Sequence, residues 1–475
     1  MSDTSARSPQ VKPGMPPSAF DTVRKQRTFL GHPVGLYFLF FTEMWERFSY
    51  YGMRALLVLY MVNHLIRGAQ SGTSHVFGFA ALQHGLESVF GALAMQPLAS
   101  QIYGLYTAFV YFTPIFGGML ADRVLGQRKT VIVGAILMAI GHFLMAAESM
   151  FLLALFVLIL GNGCFKPNLA TQIGSLYPVG DPRRDRAYTV YYAGVNLGAF
   201  LSPLVCGTLG QVYGWHYGFG AAGVGMVIGL TIYLLGRPYL PADSLTRAKA
   251  ALTEKTTAPL TAAEWKAILG LVALCALNVV FWGVFEQQGN TLQLFADRNV
   301  NWHIFGRQLP STWFQAVDPM FIFLLTPFLN IFWSWQSKRG KEPGSVIKMT
   351  MGCALLGVSF LPLIYVARGL GDSQRVNLLW LVSCAFVFTV GELYLSPVGY
   401  SLVSKVAPVR LVGMLMGMWF LANFAGNYLA GYLGTFYEKM PREAFFSVLM
   451  ALGLAAAAAI FVLSVPLRRA VGRDV

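Results

Sequence analysis

Charged residues are scarce in this chain. Only 12% of its 475 residues are Asp, Glu, Lys or Arg, and 56% are hydrophobic, whereas about a quarter of the residues of a soluble domain are charged. Apolar runs of about 20 residues recur along the sequence, which is the length that a membrane-spanning helix needs. These runs lack the two-residue alternation of outer-membrane β-strands. The composition therefore predicts an all-α integral membrane protein.

The sequence also lacks the patterns of a metal site, a redox site or a hydrolytic enzyme. It has neither an HExxH motif nor a nucleophile elbow, and its loops are too short for a soluble domain. We therefore expect no enzyme activity, no cofactor and no metal ion. The five cysteines occur singly in apolar segments, without CxxC or zinc-ligand spacing, and are Cys164, Cys206, Cys275, Cys353 and Cys384.

Hydropathy divides the chain into twelve predicted membrane helices. Residues 77–96 form an amphipathic stretch that we expect at the membrane interface rather than across the membrane. The predicted spans are 34–65, 97–121, 130–147, 150–174, 187–210, 217–236, 266–289, 313–335, 346–366, 377–401, 409–436 and 444–466.

A polar segment with three prolines separates the first six predicted helices from the last six. Two six-helix halves joined by a linker are typical of a transporter that rocks one bundle against the other. Residues 1–33 lack the apolar core and cleavage site of a signal peptide, so we expect the first helix to be retained. The predicted organisation is a tail (1–33), a bundle (34–236), a linker (237–265), a second bundle (266–466) and a tail (467–475).

The basic residues test this topology. Of the 35 Lys and Arg residues, 25 fall in the two tails, in the loops after even-numbered helices or at the span ends that border these loops; 7 fall in the opposite loops and 3 inside the membrane. The positive-inside rule then predicts that both termini are cytoplasmic. Because the net charge of +14 lies mainly in these loops beside the membrane, nucleic acid is not an expected partner.

The first predicted helix carries four charged side chains within residues 41–54. A charge at the centre of a bilayer costs roughly 2.5–3.5 kcal/mol on insertion scales, so such residues are usually paired and functional. The helical repeat places the polar side chains of this segment on one face. That face must line a protein interior or a water-filled path, and it comprises Glu43, Glu46, Arg47, Tyr50, Tyr51 and Arg54.

The fourth and fifth predicted spans also contain polar residues. Lys166 lies at mid-depth directly before Pro167, and residues 161–168 predict a break in the helix there. We expect Lys166 to face a cavity rather than to extend towards the membrane surface. Asn196 is equally consistent with a structural hydrogen bond and with a ligand contact.

Three spans of the second half carry one carboxylate each. A salt bridge made only for packing is the alternative to a functional role for these acids, and burial in the core is the default interpretation of the tryptophans beside them. Spacings of four place residues of one helix on a shared face. The carboxylates are Glu286, Asp318 and Glu392, and the neighbouring polar or aromatic positions are Trp282, Trp419 and Asn423.

Apart from the basic residues at the ends of spans, five acids and three bases thus lie inside the predicted membrane spans, which leaves two carboxylates in excess. An unpaired carboxylate in a medium of low dielectric constant favours its protonated form. Exchange of partners among such groups can couple proton movement to a conformational change. Because no histidine lies at mid-depth beside them, the expected proton carriers are carboxylates.

The loop after the second span, residues 117–129, combines glycines with Asp122 and three basic residues. The glycines allow close helix contact, and Asp122 is expected to pair with a basic residue or to cap the next helix. An ordinary basic loop is the simpler alternative. The order Gly-Asp-Arg-Gly-Arg-Lys resembles the loop signature of the major facilitator superfamily.

Other segments are similar to one branch of that superfamily, the proton-dependent oligopeptide transporters (POT). The resemblance implies the major facilitator fold, and it covers residues 34–466. The segments are ExxERFxYYG at 43–52, residues 117–141, residues 188–200, FWxxxEQQG at 281–289 and GELxxSP at 391–397.

For proton coupling, the resemblance implies that Glu286 takes up a proton and pairs with Arg54 when it is deprotonated. Asp318 stands where an asparagine is common and would be a second partner for Arg54, so more than one carboxylate is a candidate for the main proton carrier. The other implied members of the coupling set, which would interact with one another, are Glu43, Glu46, Arg47 and Lys166.

For substrate binding, the resemblance implies a di- or tripeptide that is held by its two ends. Glu392 would attract the amino terminus, while Arg54 and Lys166 would attract the carboxylate, an arrangement that ignores side-chain identity. Polar contacts and side-chain pockets would come from Tyr51, Tyr111, Asn196, Trp282, Trp419 and Asn423.

The chain departs from parts of the family. Residues 237–265 are too short and polar for the two extra helices of many bacterial members, and the loop near 368–376 is too short for the extracellular domain of animal members. Gly104 stands where animal members have a histidine.

The resemblance implies a bacterial inner-membrane symporter that imports di- and tripeptides with protons by alternating access. Its expected partners are peptides, protons and membrane lipid, and we expect a monomer. The alternatives are a proton-coupled transporter of another small solute such as nitrate and a non-transporting peptide receptor. Glu392 disfavours an anion without an amine, and a receptor would need a signalling domain.

Overall fold

The computed structural model describes residues 27–178, 181, 183–241, 261–371, 374–406 and 411–471. Within these ranges the chain is mostly helical. The predicted tails and linker lie largely outside the described residues, so the five-part organisation stays a prediction. Three short strand pairs occur in loops: Thr28–Phe29 with His32–Pro33, Val300–Asn301 with Val376–Asn377, and His303–Ile304 with Arg307–Gln308.

Twelve long helices follow one another along the described chain. They are α1 (Val34–Tyr60), α2 (Met95–Phe112), α3 (Gln127–Leu144), α4 (Phe151–Ser175), α5 (Arg183–Ser202), α6 (Trp215–Gly236), α7 (Ala262–Phe285), α8 (Phe314–Lys338), α9 (Ser345–Val358), α10 (Leu378–Val406), α11 (Val412–Gly434) and α12 (Arg442–Val471).

Shorter helical segments extend several of these helices. Phe79–Phe90 stands alone, inside the stretch predicted to lie at the interface. The extensions are Met61–Leu65 and Ile66–Ser71 after α1, Pro114–Leu120 and Ala121–Leu125 after α2, Glu148–Met150 before α4, Pro203–Gly207 and Leu209–Tyr213 after α5, Arg237–Tyr239 after α6, Glu286–Gly289 and Thr291–Asn299 after α7, Ser311–Trp313 before α8, and Leu361–Ala367 after α9.

Nine helices in the described part of the chain are long and apolar enough to cross a membrane. The predicted all-α, multi-pass class is therefore confirmed. Helices α1, α3 and α11 are not among the nine, and in α1 the four charged residues lower the hydropathy. Each predicted span overlaps one of the twelve helices, but the count of twelve spans stays a prediction.

The helices of each half pack mainly on one another. Helix α1 packs on α5 and α6, and α3 packs on α4 and α6; in the second half, α7 packs on α11 and α12, and α9 packs on α10 and α12. The halves meet where α2 packs on α11 and where α5 packs on α8. A central site between α1, α2, α7 and α8 is therefore bounded by both halves.

Glycines allow the closest contacts between these helices. A Cβ atom built on Gly104 of α2 would lie 2.5 Å from the Cα of Gly431 in α11. Within the first half, a Cβ on Gly198 of α5 would lie 2.9 Å from the backbone nitrogen of Phe48 in α1. Because the facing atoms belong to backbone, they cannot move aside as a side chain could. Gly198 therefore lets α5 pack directly against the backbone of α1.

The predicted helix break at 161–168 is wrong, and so is one of the two alternatives for Asp122, that it caps the next helix. Helix α4 continues through Pro167, because a membrane helix that is packed against its neighbours tolerates one missing backbone hydrogen bond, and α4 packs closely on α3. Asp122 does not cap α3. The chain first forms the Ala121–Leu125 turn, so the cap position falls on Gly126, whose φ of 82° favours glycine.

The contact between α2 and α11 predicts a strong effect of one methyl group. Gly104→Ala should lower the apparent melting temperature in detergent, since forcing atoms into a filled contact costs about 1–3 kcal/mol. The measurement is thermal unfolding of the purified variant followed by the fluorescence of a thiol-reactive dye.

Gly118→Ala is the matched control, because a Cβ atom at this helical glycine meets open space. It should leave the melting temperature unchanged or raise it, since alanine favours a helix by up to about 1 kcal/mol over glycine. Equal melting temperatures for the two variants would contradict the proposed backbone contact.

Candidate functional site

The polar face of α1 begins with a buried three-residue cluster. Nη2 of Arg47 donates to Oε1 of Glu46 at 2.7 Å, its Nε contacts the other oxygen of Glu46, and the same Nε lies 3.2 Å from Oε1 of Glu43. Asn162 of α4 reaches Glu46 at 3.5 Å. One guanidinium therefore serves two carboxylates, which leaves the cluster with one negative charge when both are ionised.

About two helical turns after Arg47, Arg54 joins the two halves of the molecule. Its Nη2 forms an ion pair with Glu286, directly after α7, and its Nε donates to the hydroxyl of Tyr103 at 2.8 Å. The arginine and the carboxylate are both buried. The predicted pairing of Arg54 with Glu286 is present in the structure.

Lys166 of α4 contacts an aromatic ring rather than a carboxylate. Its ammonium stands 4.6 Å from the centre of the Tyr111 ring, within range of a cation–π contact. Among the described residues no carboxylate makes an ion pair with it, although the α1 cluster is near enough for its charges to act on it. The predicted interaction of Lys166 with the cluster is thus not an ion pair in this conformation, and its role in proton coupling stays a prediction.

The second half contributes two further acids to the site. Asp318 of α8 is only 8% exposed, and its Oδ1 accepts a hydrogen bond from the Thr389 hydroxyl of α10 at 2.6 Å. Glu392 follows Thr389 by three residues, and its Oε2 is buried without a hydrogen-bond partner among the described residues. The structure thus pairs Asp318 with a hydroxyl rather than with Arg54.

The other predicted contact residues differ in their surroundings. The amide nitrogen of Asn196 donates to the Tyr192 carbonyl of its own helix at 3.0 Å. The indole nitrogen of Trp282 is buried without a partner in the described chain. Tyr51 is half-buried, and the Cζ atom of Arg54 lies 5.9 Å from the centre of its ring. Their roles in binding stay predictions.

Trp419 and Asn423 lie deeper in the second half. Trp419 is fully buried and packs against the Gly399 position of α10, while Asn423 accepts a hydrogen bond from Asn278 of α7 at 3.4 Å. Both residues therefore hold α11 to its neighbours, which favours a structural role for them in this conformation.

Two residues of the site were not singled out from the sequence. Tyr103 carries no charge, but its fully buried hydroxyl accepts a hydrogen bond from Arg54 and orients it. Thr389 orients Asp318 in the same way, by donating to its carboxylate. A signal exists for the tyrosine, since Tyr103 and Tyr111 are eight residues apart and share a face of α2. Thr389 is one turn before Glu392, but an isolated threonine in a membrane helix carries no such signal.

A second polar cluster joins the halves at the outer side, defined here as the side at which α1 ends. Gln211, beyond α5, donates to Ser311 at 2.8 Å and to Asp297 at 3.2 Å, and it accepts from the backbone and hydroxyl of Thr312 at 3.1 and 2.9 Å. Trp313 donates to Thr208 at 2.8 Å. These bonds hold the outer ends of α5 and α8 together.

The chain is similar over most of its length to known transporters. A family model described as the POT family matches residues 128–247 and 242–452. The peptide transporter YePEPT of Yersinia enterocolitica is 30% identical, with 93% of this chain and 96% of that protein covered. The di-/tripeptide transporter of Lactococcus lactis subsp. cremoris is 29% identical, with 94% of this chain and 98% of that protein covered.

The fold is similar to solved structures as well. A crystal structure of a peptide transporter POT in complex with sulfate matches with a TM-score of 0.80 and 31% identity, covering 96% of this chain and all of that one. The chain therefore belongs to the POT family of transporters and has the major facilitator fold of that family.

Proposed function

We propose that this chain is a proton-coupled symporter that imports di- and tripeptides across the inner membrane by alternating access, with both termini in the cytoplasm. The observation that carries the proposal is the buried ion pair of Arg54 with Glu286 between the two halves. Membership of a transporter family supports transport, and the relatives named as peptide transporters support the substrate class.

The ion pair links protonation to substrate binding. A proton on Glu286 removes the negative charge that holds Arg54, so the guanidinium becomes available to a substrate carboxylate. Lys166 is not held by an ion pair within the described residues and can join it. Substrate and proton thus favour the same state, which is the requirement for symport.

The cluster on α1 offers a second place for a proton. Its excess negative charge attracts Lys166 as long as both carboxylates are ionised. A proton on Glu43 or Glu46 removes that attraction and frees the lysine for the substrate. Proton uptake at Glu286 or at the α1 cluster therefore raises the positive charge that is available to the substrate carboxylate.

The opposite end of the site supplies negative charge. Glu392 has a buried carboxylate oxygen without a partner in the described chain, and an α-ammonium group would satisfy it. A peptide then lies between Glu392 in one half and Arg54 with Lys166 in the other. Because the two ends of the substrate contact different halves, binding favours their closure around it.

The first test is uptake of labelled dialanine by the purified protein in liposomes with an inward proton gradient. We expect accumulation above equilibrium that a protonophore abolishes and that unrelated dipeptides compete for. A folded, correctly inserted protein that shows no gradient-dependent uptake would leave the fold standing and overturn the proposed substrate.

Glu286→Gln tests the coupling step. The amide cannot ionise, so the variant should lose accumulation driven by the proton gradient, down to the level of empty liposomes, while still exchanging labelled for unlabelled dialanine. The measurement compares gradient-driven uptake with counterflow in one preparation. Glu438→Gln is the matched control, since Glu438 forms a partly exposed pair with Arg298 at the outer side. Concentrative uptake by Glu286→Gln would contradict the assignment.

The outer polar cluster predicts a shift in conformation. Gln211→Ala removes four hydrogen-bond contacts between the halves. Since each hydrogen bond contributes about 0.5–1.5 kcal/mol, the population with separated outer ends should rise at least about tenfold. Spin labels on Tyr213→Cys and Phe305→Cys, both exposed on this side, should report longer distances.

The spin-label experiment uses a chain in which the half-buried Cys164 is serine, because the other four cysteines are buried. Gln83→Ala serves as the control, since the Gln83 amide donates only to Glu87 of its own helix among the described residues. An unchanged distance distribution in Gln211→Ala would show that the cluster does not hold the halves together.

A further inference from the structure

The acid end of the central site holds more negative charge than one peptide amino terminus can balance. Both arginines of α1 are occupied by other carboxylates, and Lys166 lies on Tyr111. Asp318 and Glu392, called the acid pair below, have no basic partner in the part of the chain that the structure describes.

The members of the acid pair come from different helices but lie side by side. Thr389 of α10 donates to Asp318 of α8 at 2.6 Å, so the Asp318 carboxylate touches α10 one turn before Glu392. Residues three apart on a helix are neighbours, with Cβ atoms about 5–6 Å apart. Asp318 and Glu392 are therefore neighbours, joined through the Thr389 hydroxyl on the same stretch of α10.

Two buried atoms beside the acid pair lack a partner and indicate a ligand. Oε2 of Glu392 has none within the described residues, and neither does the indole nitrogen of Trp282, a residue only 8% exposed. Trp282 packs edge-on against Phe285 at 5.3 Å, and Phe285 stacks at 4.7 Å on Phe388, the residue before Thr389. A chain of packed rings thus runs from Trp282 to Phe388, which lies one turn before Glu392 on α10.

Burial makes this arrangement unfavourable without positive charge. An ionised carboxylate away from water is strongly destabilised unless it is paired. The α-ammonium group of a bound peptide is one cation and balances one member of the acid pair. The other member needs a second cation or a proton.

We propose that the acid pair makes this transporter select peptides whose first residue carries its own positive charge, namely peptides that begin with lysine or arginine. This inference rests on the proposed peptide transport. The side chain of the first residue starts from the same Cα as the α-ammonium group, so its charged end stays within the acid end of the site. Asp318 is the specificity-determining residue, and Thr389 positions it.

The position of the charge within the peptide matters for the same reason. A lysine at the carboxyl end would bring its ammonium group towards Arg54 and Lys166, where like charges repel it. The preferred order is therefore Lys-Ala, then Ala-Ala, then Ala-Lys. Acetylation of the lysine side chain removes its charge with little change of shape. The matched ligand with a neutral side chain is therefore Lys-Ala acetylated on the ε-nitrogen, with its α-ammonium group intact.

The experiment measures equilibrium binding of these four dipeptides to the full-length protein in detergent by isothermal titration calorimetry. We expect the wild-type protein to bind Lys-Ala about tenfold more tightly than its side-chain-acetylated form, as one close charge pair can supply. Asp318→Asn should reduce that ratio to below about threefold. Asp185→Asn, which changes an exposed acid at the start of α5, should keep the wild-type ratio.

Equal binding of Lys-Ala and its acetylated form by the wild-type protein would overturn the inference, and so would a ratio that Asp318→Asn leaves unchanged. Binding of Ala-Ala to the wild-type protein tests the proposed function separately, because it needs no second charge. If folded wild-type protein binds none of the four dipeptides, the proposed function itself fails.

Thr389→Val provides a second variant that keeps the Asp318 charge. It removes the hydroxyl that orients the carboxylate, so the ratio should fall to a value between those of the wild-type protein and Asp318→Asn. A ratio equal to that of the wild-type protein would show that Thr389 does not position Asp318. If Asp318→Asn fails to fold, this variant and the wild-type comparison decide the inference.

Discussion

The buried ion pair between Arg54 and Glu286 is the constraint on which the rest of the structure depends. Taking two charges out of water costs several kcal/mol per ion, and only good geometry with further hydrogen bonds offsets that cost. Here the Tyr103 hydroxyl supplies one such bond to the arginine. Because the pair spans the two halves, neither half can move away without leaving a buried charge unpaired. A proton or a substrate carboxylate must therefore replace the lost partner.

The packing of the first half keeps the charged face of α1 in place. Gly198 lets the backbone of α5 meet that of α1 beside Arg47 and Phe48, so the helix that carries the cluster is held on its other side by close backbone contact. A rigid support matters because charge interactions in a low dielectric change steeply with distance. The glycines of α5 are in this sense part of the charged site, although they carry no charge themselves.

Periodicity and hydropathy predicted most of this molecule, because a membrane requires long apolar helices with their polar residues on inner faces. The face of α1 and the pairing of Arg54 with Glu286 followed from those rules and from the resemblance to a family. The rules failed where local bonding decides, as at Pro167, where a single lost hydrogen bond does not end α4. Tyr103 and Thr389 were missed because their partners lie on other helices, and one sequence does not show which helices meet.

The distribution of charge suits a site that binds the two ends of a peptide and makes few specific contacts with its side chains. Positive charge comes from Arg54 and Lys166 in the first half, and negative charge without a basic partner among the described residues comes from Asp318 and Glu392 in the second half. Every peptide has one end of each sign, so the proposed site would recognise what all peptides share. Selectivity can then arise only where the charges do not balance. That imbalance lies at the acid pair, so in the proposed binding mode the first residue of a peptide is the one whose charge this site distinguishes.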